Sequence, residues 1–236
     1  MRRPRCRRGR TGVAASILIA LALVLVMSGV SCAQSRGKSR WRTSRYGRQG
    51  AEIWLEAPRV GVATGSGYKN GTDLPGDLTD DLDLATGLGF GFGMMFGFSD
   101  NVALEARVVQ TSHGVSGSDK RWDLDQIHVG GRYTFLHDRR IQIFAGAGGA
   151  RSTLEFDASE SLLTDFERLS GFGWYVAGGV DYVFSSRWVV SLRTDYTVMK
   201  YNHILVGVSE EDIEDPLDGS SLGVSLSVNY RVPVWW

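Results

Sequence analysis

The sequence predicts an all-β fold: a closed eight-stranded antiparallel transmembrane β-barrel with an N-terminal signal peptide. Three observations point there. From Gly87 to Trp236, apolar and small or polar residues alternate one by one, the period of two of a strand with unlike faces. The alternating runs are separated in turn by very short and rather long polar segments, as in barrels with tight turns on one side of a membrane and loops on the other. Both cysteines, Cys6 and Cys32, fall in the first 33 residues, so the exported body has no disulfide, and barrel closure stabilises it by leaving no strand edge unpaired. A hydrophobic content of 43% looks soluble, but barrels spread apolar residues over alternate positions and escape hydropathy averages.

Residues 1–33 are expected to be a signal peptide. Arg2, Arg3, Arg5, Arg7, Arg8 and Arg10 precede the uncharged run Thr11 to Val30 and a small-residue site ending at Ala33, the layout of a secretory leader. Two alternatives stay open: an uncleaved anchor, since the run is long enough to span a bilayer, and, more weakly, a lipoprotein site at Cys32. Residues 34–50 read as a basic disordered linker with Arg36, Lys38, Arg40, Arg42, Arg45 and Arg48 and no acid. The barrel domain is assigned to residues 51–236. Without the leader the chain carries a net charge of −6, and without the linker −12. This is an acidic body with a short basic arm; the arm is expected at the periplasmic face, a compartment in which nucleic acid is no expected partner. Contact of the arm with anionic headgroups is the alternative to a plain linker.

The strands follow in order. Glu52–Thr64 is interrupted by Pro58, implying an edge-like bulge or a later start. Leu82–Phe98 sets Leu88, Phe90, Phe92, Met94, Phe96 and Phe98 against Gly87, Gly89, Gly91, Gly93 and Gly97. After the turn Ser99-Asp100-Asn101, Val102–Thr111 opposes Val102, Leu104, Ala106 and Val108 to Glu105 and Arg107. A loop near His113–Arg121 leads to Trp122–Phe135, where Ile127, Val129, Tyr133 and Phe135 oppose Gln126, His128 and Arg132. Arg140–Thr153 sets Ile141, Ile143 and Ala145 against Gln142. A loop Leu154–Ser170 precedes Gly171–Phe184, with Phe172, Trp174, Val176, Val180, Tyr182 and Phe184 opposing Tyr175 and Asp181. Trp188–Tyr201 opposes Trp188, Val190, Leu192 and Tyr196 to Arg193 and Asp195. A long loop, Asn202–Ser220, then reaches the last strand, with Leu222, Val224, Leu226, Val228, Tyr230, Val232, Val234 and Trp236 on one face and Gly223, Ser225, Ser227, Asn229 and Arg231 on the other.

With short turns facing the periplasm, Phe96, Phe98, Tyr133, Phe135, Tyr182, Phe184, Trp188 and Trp236 gather at one end of the strands. That is an aromatic girdle, suited to a membrane interface. The run Gly-Phe-Ser-Asp-Asn-Val-Ala-Leu-Glu-Ala-Arg (Gly97–Arg107) and the aromatic C-terminus resemble the outer-membrane β-barrel family of the OmpA/OmpX type. The resemblance implies a single-barrel member in the cell outer membrane, with outer-membrane lipids and lipopolysaccharide as surroundings. It also implies monomeric assembly by the barrel-assembly machinery, which reads a signal like Tyr230 to Trp236.

The inward set Glu105, Arg107, His128, Arg132, Gln142, Asp181, Arg193, Asp195, Asn229 and Arg231 forms a polar interior. An eight-stranded barrel is just wide enough for side chains to fill, and buried charges must pair. The set reads as an interior plug, with a narrow polar path for ions or small solutes as the alternative. The lumen-facing glycines lack the helix that a dinucleotide fingerprint requires and instead make room for bulky neighbours such as Arg and Tyr. None of His113, His128, His137 and His203 has a Ser two residues on, as a lipid A deacylase-like site would want. A palmitoyltransferase-like site needs His, Asp and Ser converging at the rim, so His113 and His203 are read as solvated rim residues. Acidic loops, including Asp73 to Asp81, Asp157 to Glu167 and Glu210 to Asp218, match no EF-hand spacing. They read as a hydrated surface, with divalent-cation bridging to lipopolysaccharide the alternative, and no metal or cofactor is called for. The favoured function is a non-enzymatic integral outer-membrane protein serving envelope integrity or surface interaction. The alternatives are a narrow porin-like channel and a lipid A-modifying barrel enzyme.

Overall fold

Alternation does close into a barrel. The computed structural model describes residues 50–66, 84–114, 121–156, 167–206 and 209–232. Its strands are β1 (Gly50–Ala63), β2 (Gly87–Gly97), β3 (Val102–Gly114), β4 (Arg121–Phe135), β5 (Ile141–Phe156), β6 (Glu167–Val183), β7 (Trp188–Val206), β8 (Ser209–Asp218) and β9 (Ser221–Arg231). Each of β1 to β7 pairs antiparallel with the next, β7 pairs with β9, and β9 returns to β1. Eight strands thus close the ring, and β8 lies outside it, paired only with the far part of β7 among the described residues.

Four readings of the sequence are corrected here. The bulge expected at Pro58 is present, as a register shift between Glu56 and Arg59, but it does not make β1 an edge, because β1 pairs with β2 and β9 on either side of it. The segment Asn202–Ser220 is not a plain loop, because β7 runs on to Val206 and turns back as β8. His113 lies within β3, not in a loop. Leu154–Ser170 gives up both its ends to strands β5 and β6, and its middle lies outside the described residues.

The last three corrections share one cause. Over most of β4 the outward residues are apolar, with Ile127 and Val129 exposed at 38% and 50%, while Gln126 and His128 are buried. Nearer the long-loop end the polarity reverses. Trp122 and Leu124 are buried on the inner side, while Asp123 and Asp125 turn outward. On β5 the inner Leu154 is likewise fully buried and Arg151 is exposed. The wall therefore has two sections, one with an apolar outside and one built like an ordinary water-soluble sheet.

The reversed section encloses an apolar core of Trp122, Leu124, Leu154, Leu169, Met199, Tyr201 and Ile204, joined by Leu217 and, partly buried, Ile213 from β8. At the short-turn end the outer aromatics stand in edge-to-face pairs: Phe96 with Phe98 (5.3 Å), Tyr133 with Phe135 (4.8 Å) and Trp188 with Tyr230 (4.9 Å). Such contacts add about 0.5–1.5 kcal/mol each beyond burial. Tyr182 and Phe184 are exposed at the same end, whereas Trp236 lies outside the described residues.

Candidate functional site

The middle of the barrel holds a layer of charge. Period two aims alternate residues of every wall strand inward, and five carboxylates (Glu52, Glu56, Glu105, Asp181, Asp195) meet five guanidiniums (Arg59, Arg107, Arg132, Arg193, Arg231) there. Arg59 grips Asp195 with both terminal nitrogens, at 2.9 and 2.8 Å. Arg107 bridges Glu56 (3.0 Å) and Asp195 (3.1 Å). Its second nitrogen donates to His128 Nδ1 at 2.7 Å, so the ring proton sits on Nε2, facing Thr197 Oγ1 at 3.4 Å. Arg193 donates twice to Glu105, at 3.0 and 2.7 Å, and the Tyr175 hydroxyl donates to the same carboxylate at 3.0 Å. Tyr175 also stacks on His128, with centroids 4.6 Å apart.

Toward the short-turn end the pattern continues in smaller groups. Arg132 pairs with Asp181 and lies over the Phe144 ring at 3.5 Å. Gln142 donates to the turn carbonyls of His137 (2.8 Å) and Arg139 (3.1 Å). Glu52 accepts from Asn229 (2.7 Å) and Arg231 (3.2 Å). Arg59, Arg107, Arg132 and Arg193 are each 4% exposed or less, so the interior is packed.

Glycines create the room this packing needs. A Cβ at Gly93 would enter the Trp54 indole, and one at Gly223 the Arg59 guanidinium. At Gly130 it would meet the Tyr175 hydroxyl. These positions are taken up by close approach of large neighbours.

All ten inward residues named from the sequence lie in this interior, and the structure brings nine of them into direct contact with another charged or polar member of the set or of β1, while Gln142 reaches the turn carbonyls. Sequence reading missed β1's contribution: Glu52, Glu56 and Arg59, with Trp54 donating to Glu56 at 3.2 Å. The bulge at Pro58 shifts Arg59 out of phase with Glu56, so no single alternating pattern holds the three. The signal available was the charge itself, at odd spacing in a strand.

The histidines correct another reading. His113 is fully buried, its ring held by Thr111 Oγ1 (3.0 Å) and the Ala85 carbonyl (2.9 Å), and is no solvated rim residue. His203 faces Asp212 at 2.6 Å on the β7–β8 hairpin. His137 contacts Asn101 in the short-turn region at 3.1 Å. Among the described residues no group of His, Cys, Asp and Glu is arranged to hold a metal ion, and no helix is long and apolar enough to cross a membrane.

The chain matches the family described as "Outer membrane protein beta-barrel domain" over residues 20–231, and it belongs to that family. No curated protein matches its sequence. Among solved structures it is similar to Neisserial surface protein A (NspA), at 12% identity over 78% of this chain and 98% of that one, with a TM-score of 0.54. It is also similar to the outer membrane protein OprG from Pseudomonas aeruginosa, at 13% identity over 80% of this chain and 99% of that one, TM-score 0.54. At such identities the likeness is one of fold.

Proposed function

We propose that this is a closed, non-enzymatic outer-membrane barrel that serves envelope integrity or surface interaction. One observation carries the reading: the lumen is filled twice over, by the paired charge layer and by the apolar core around Trp122 and Leu154. A pore needs a continuous wet path, and ion-paired buried charges beneath an apolar core oppose one. Residues 1–33 serve as the export signal, Tyr230 to Trp236 present the assembly signal, and the barrel works as a monomer among outer-membrane lipids and lipopolysaccharide. The short turns then face the periplasm and the β7–β8 hairpin the outside.

Two measurements test this, one on the purified, refolded protein and one on cells that express it. Planar bilayers should show no reproducible single-channel steps, and lipid A from expressing cells should keep its mass. Regular conductance steps would replace this reading by the channel, and a mass change in lipid A by the enzyme.

A further inference from the structure

The outer wall carries a second, unassigned constellation where apolar surface gives way to polar. In one hydrogen-bonded row Arg151 on β5 pairs with Phe172 on β6, which pairs with Lys200 on β7. All three side chains are outward and exposed, Phe172 at 62%, and the Arg151 guanidinium lies over the Phe172 ring at 5.5 Å. Neighbouring cations and anions on these strands are otherwise engaged. Arg168 pairs with Glu155 at 3.3 Å. Asp218, opposite Lys200 on β8, is held chiefly by Ser220 N (3.1 Å), Ser220 Oγ (2.7 Å) and Ser66 N (3.5 Å), and its attraction to Lys200 is the smaller contribution. Among the described residues, no carboxylate lies within ion-pair distance of Arg151 or Lys200.

The same strand pair is hollowed on its lipid side. Val176, Gly178, Thr194, Tyr196 and Leu222 line a shallow recess of about 190 Å³. Val176 pairs with Tyr196 and Gly178 with Thr194, four and six residues along β6 from Phe172, or about 13–20 Å. Exposed Trp174 stands between row and recess. Cations above, aromatics at the interface and an apolar hollow below match an amphiphile with an anionic head and a hydrocarbon tail.

We propose that this face of β5–β7 binds a phosphorylated glycolipid of the outer leaflet. Arg151 and Lys200 receive its phosphate, Phe172 and Trp174 flank the head-to-tail junction, and an acyl chain lies in the recess over Gly178. The two cations act differently: Arg151 presents a planar fork to two phosphate oxygens, and Lys200 a point charge. The site rests on membership of the outer-membrane family and is independent of whether the lumen conducts.

Native mass spectrometry of the detergent-solubilised protein tests it, with bisphosphorylated lipid A and its dephosphorylated form as probes. The wild-type barrel should retain the bisphosphorylated form about tenfold better, the scale of losing one to two cation–headgroup contacts. Arg151→Gln with Lys200→Gln should abolish that preference, and Arg187→Gln, an exposed cation in the short turn before β7, should leave it unchanged. Gly178→Leu should weaken retention of both lipids by filling the recess; a Cβ there meets nothing closer than the Phe144 carbonyl at 3.6 Å, so the barrel accepts it. Heat-modifiable gel mobility reports that each variant is folded. Equal retention of both lipids by wild type overturns the phosphate assignment, whatever the double variant does. Unchanged retention in folded Gly178→Leu overturns the acyl assignment, and displacement by millimolar inorganic phosphate would make this a free-phosphate site instead.

Discussion

Arg59 and Asp195 clasp one another through two parallel hydrogen bonds of 2.9 and 2.8 Å, although 136 residues separate them in the chain. The pair ties the bulged strand β1 across the lumen to β7, with which it shares no ladder. Arg107 then links the same aspartate to Glu56 and His128, so one carboxylate fastens three strands.

Breaking a pair inside this layer should cost far more than removing a surface charge. Arg193→Ala strands Glu105, and losing one partner of a buried pair costs about 3–5 kcal/mol. Exposed Asp215→Ala should stay within about 0.5 kcal/mol, and outward Leu192→Ala should fall between. Unfolding midpoints in detergent measure all three; similar small effects at Arg193 and Asp215 would show a wet, screened lumen.

Removing both members of a pair should be milder than removing one. Arg59→Met alone leaves Asp195 short of its bidentate partner, whereas Arg59→Met with Asp195→Leu leaves no unmatched charge between them. A double-mutant cycle should give a coupling of about 1–3 kcal/mol, reduced by whatever Arg107 loses when Asp195 goes. Strict additivity would mean that the two side chains do not meet.

Opening the charge layer alone should not make a pore. Glu105→Ala with Arg193→Ala leaves Trp122, Leu124 and Leu154 in place above it, so planar bilayers should remain silent. Conductance should appear only when the apolar core is thinned as well, for example by adding Trp122→Ala. Conductance from the double variant alone would show that the upper core is no barrier.

The β7–β8 hairpin should carry a pH signature at its base. Burial pushes the Asp218 carboxyl up, but hydrogen bonds from Ser220 and Ser66 outweigh it and hold its pKa below the ordinary 3.8. A depressed acid pKa contributes stability that is present above the unfolded value and lost as pH falls through the folded one. Amide exchange at Ser220, corrected for its intrinsic pH dependence, should therefore accelerate below 3.8 in the wild type and show no such step in Asp218→Asn.

The fold was legible wherever one rule held along a whole strand. On β9 alternation is unbroken from Ser221 to Asn229, and the sequence assigned each side chain its face. Reading failed where the solvent outside changed: if outward must mean apolar, Leu154 looks like the start of a loop and Trp122 and Leu124 fall on the wrong face of their strand, yet all three are core. It failed again at β1, where Pro58 displaces the phase and hides Glu52, Glu56 and Arg59. The lipid-facing row was hidden for a third reason. Arg151 and Lys200 are 49 residues apart in the chain and meet only through the register of β6.

The reversal of polarity along β4 and β5 means that one strand answers to two solvents. The section with an apolar outside is held by hydrocarbon, which chaotropes in water barely reach. The section around Trp122 is held by exclusion of water, a force that urea weakens. The molecule should therefore soften from the long-loop end, losing the storey around Trp122 while the spanning ring endures. Its unfolding is then a sequence of two events, and the midpoint that reports on Arg193 and Leu192 is that of the second.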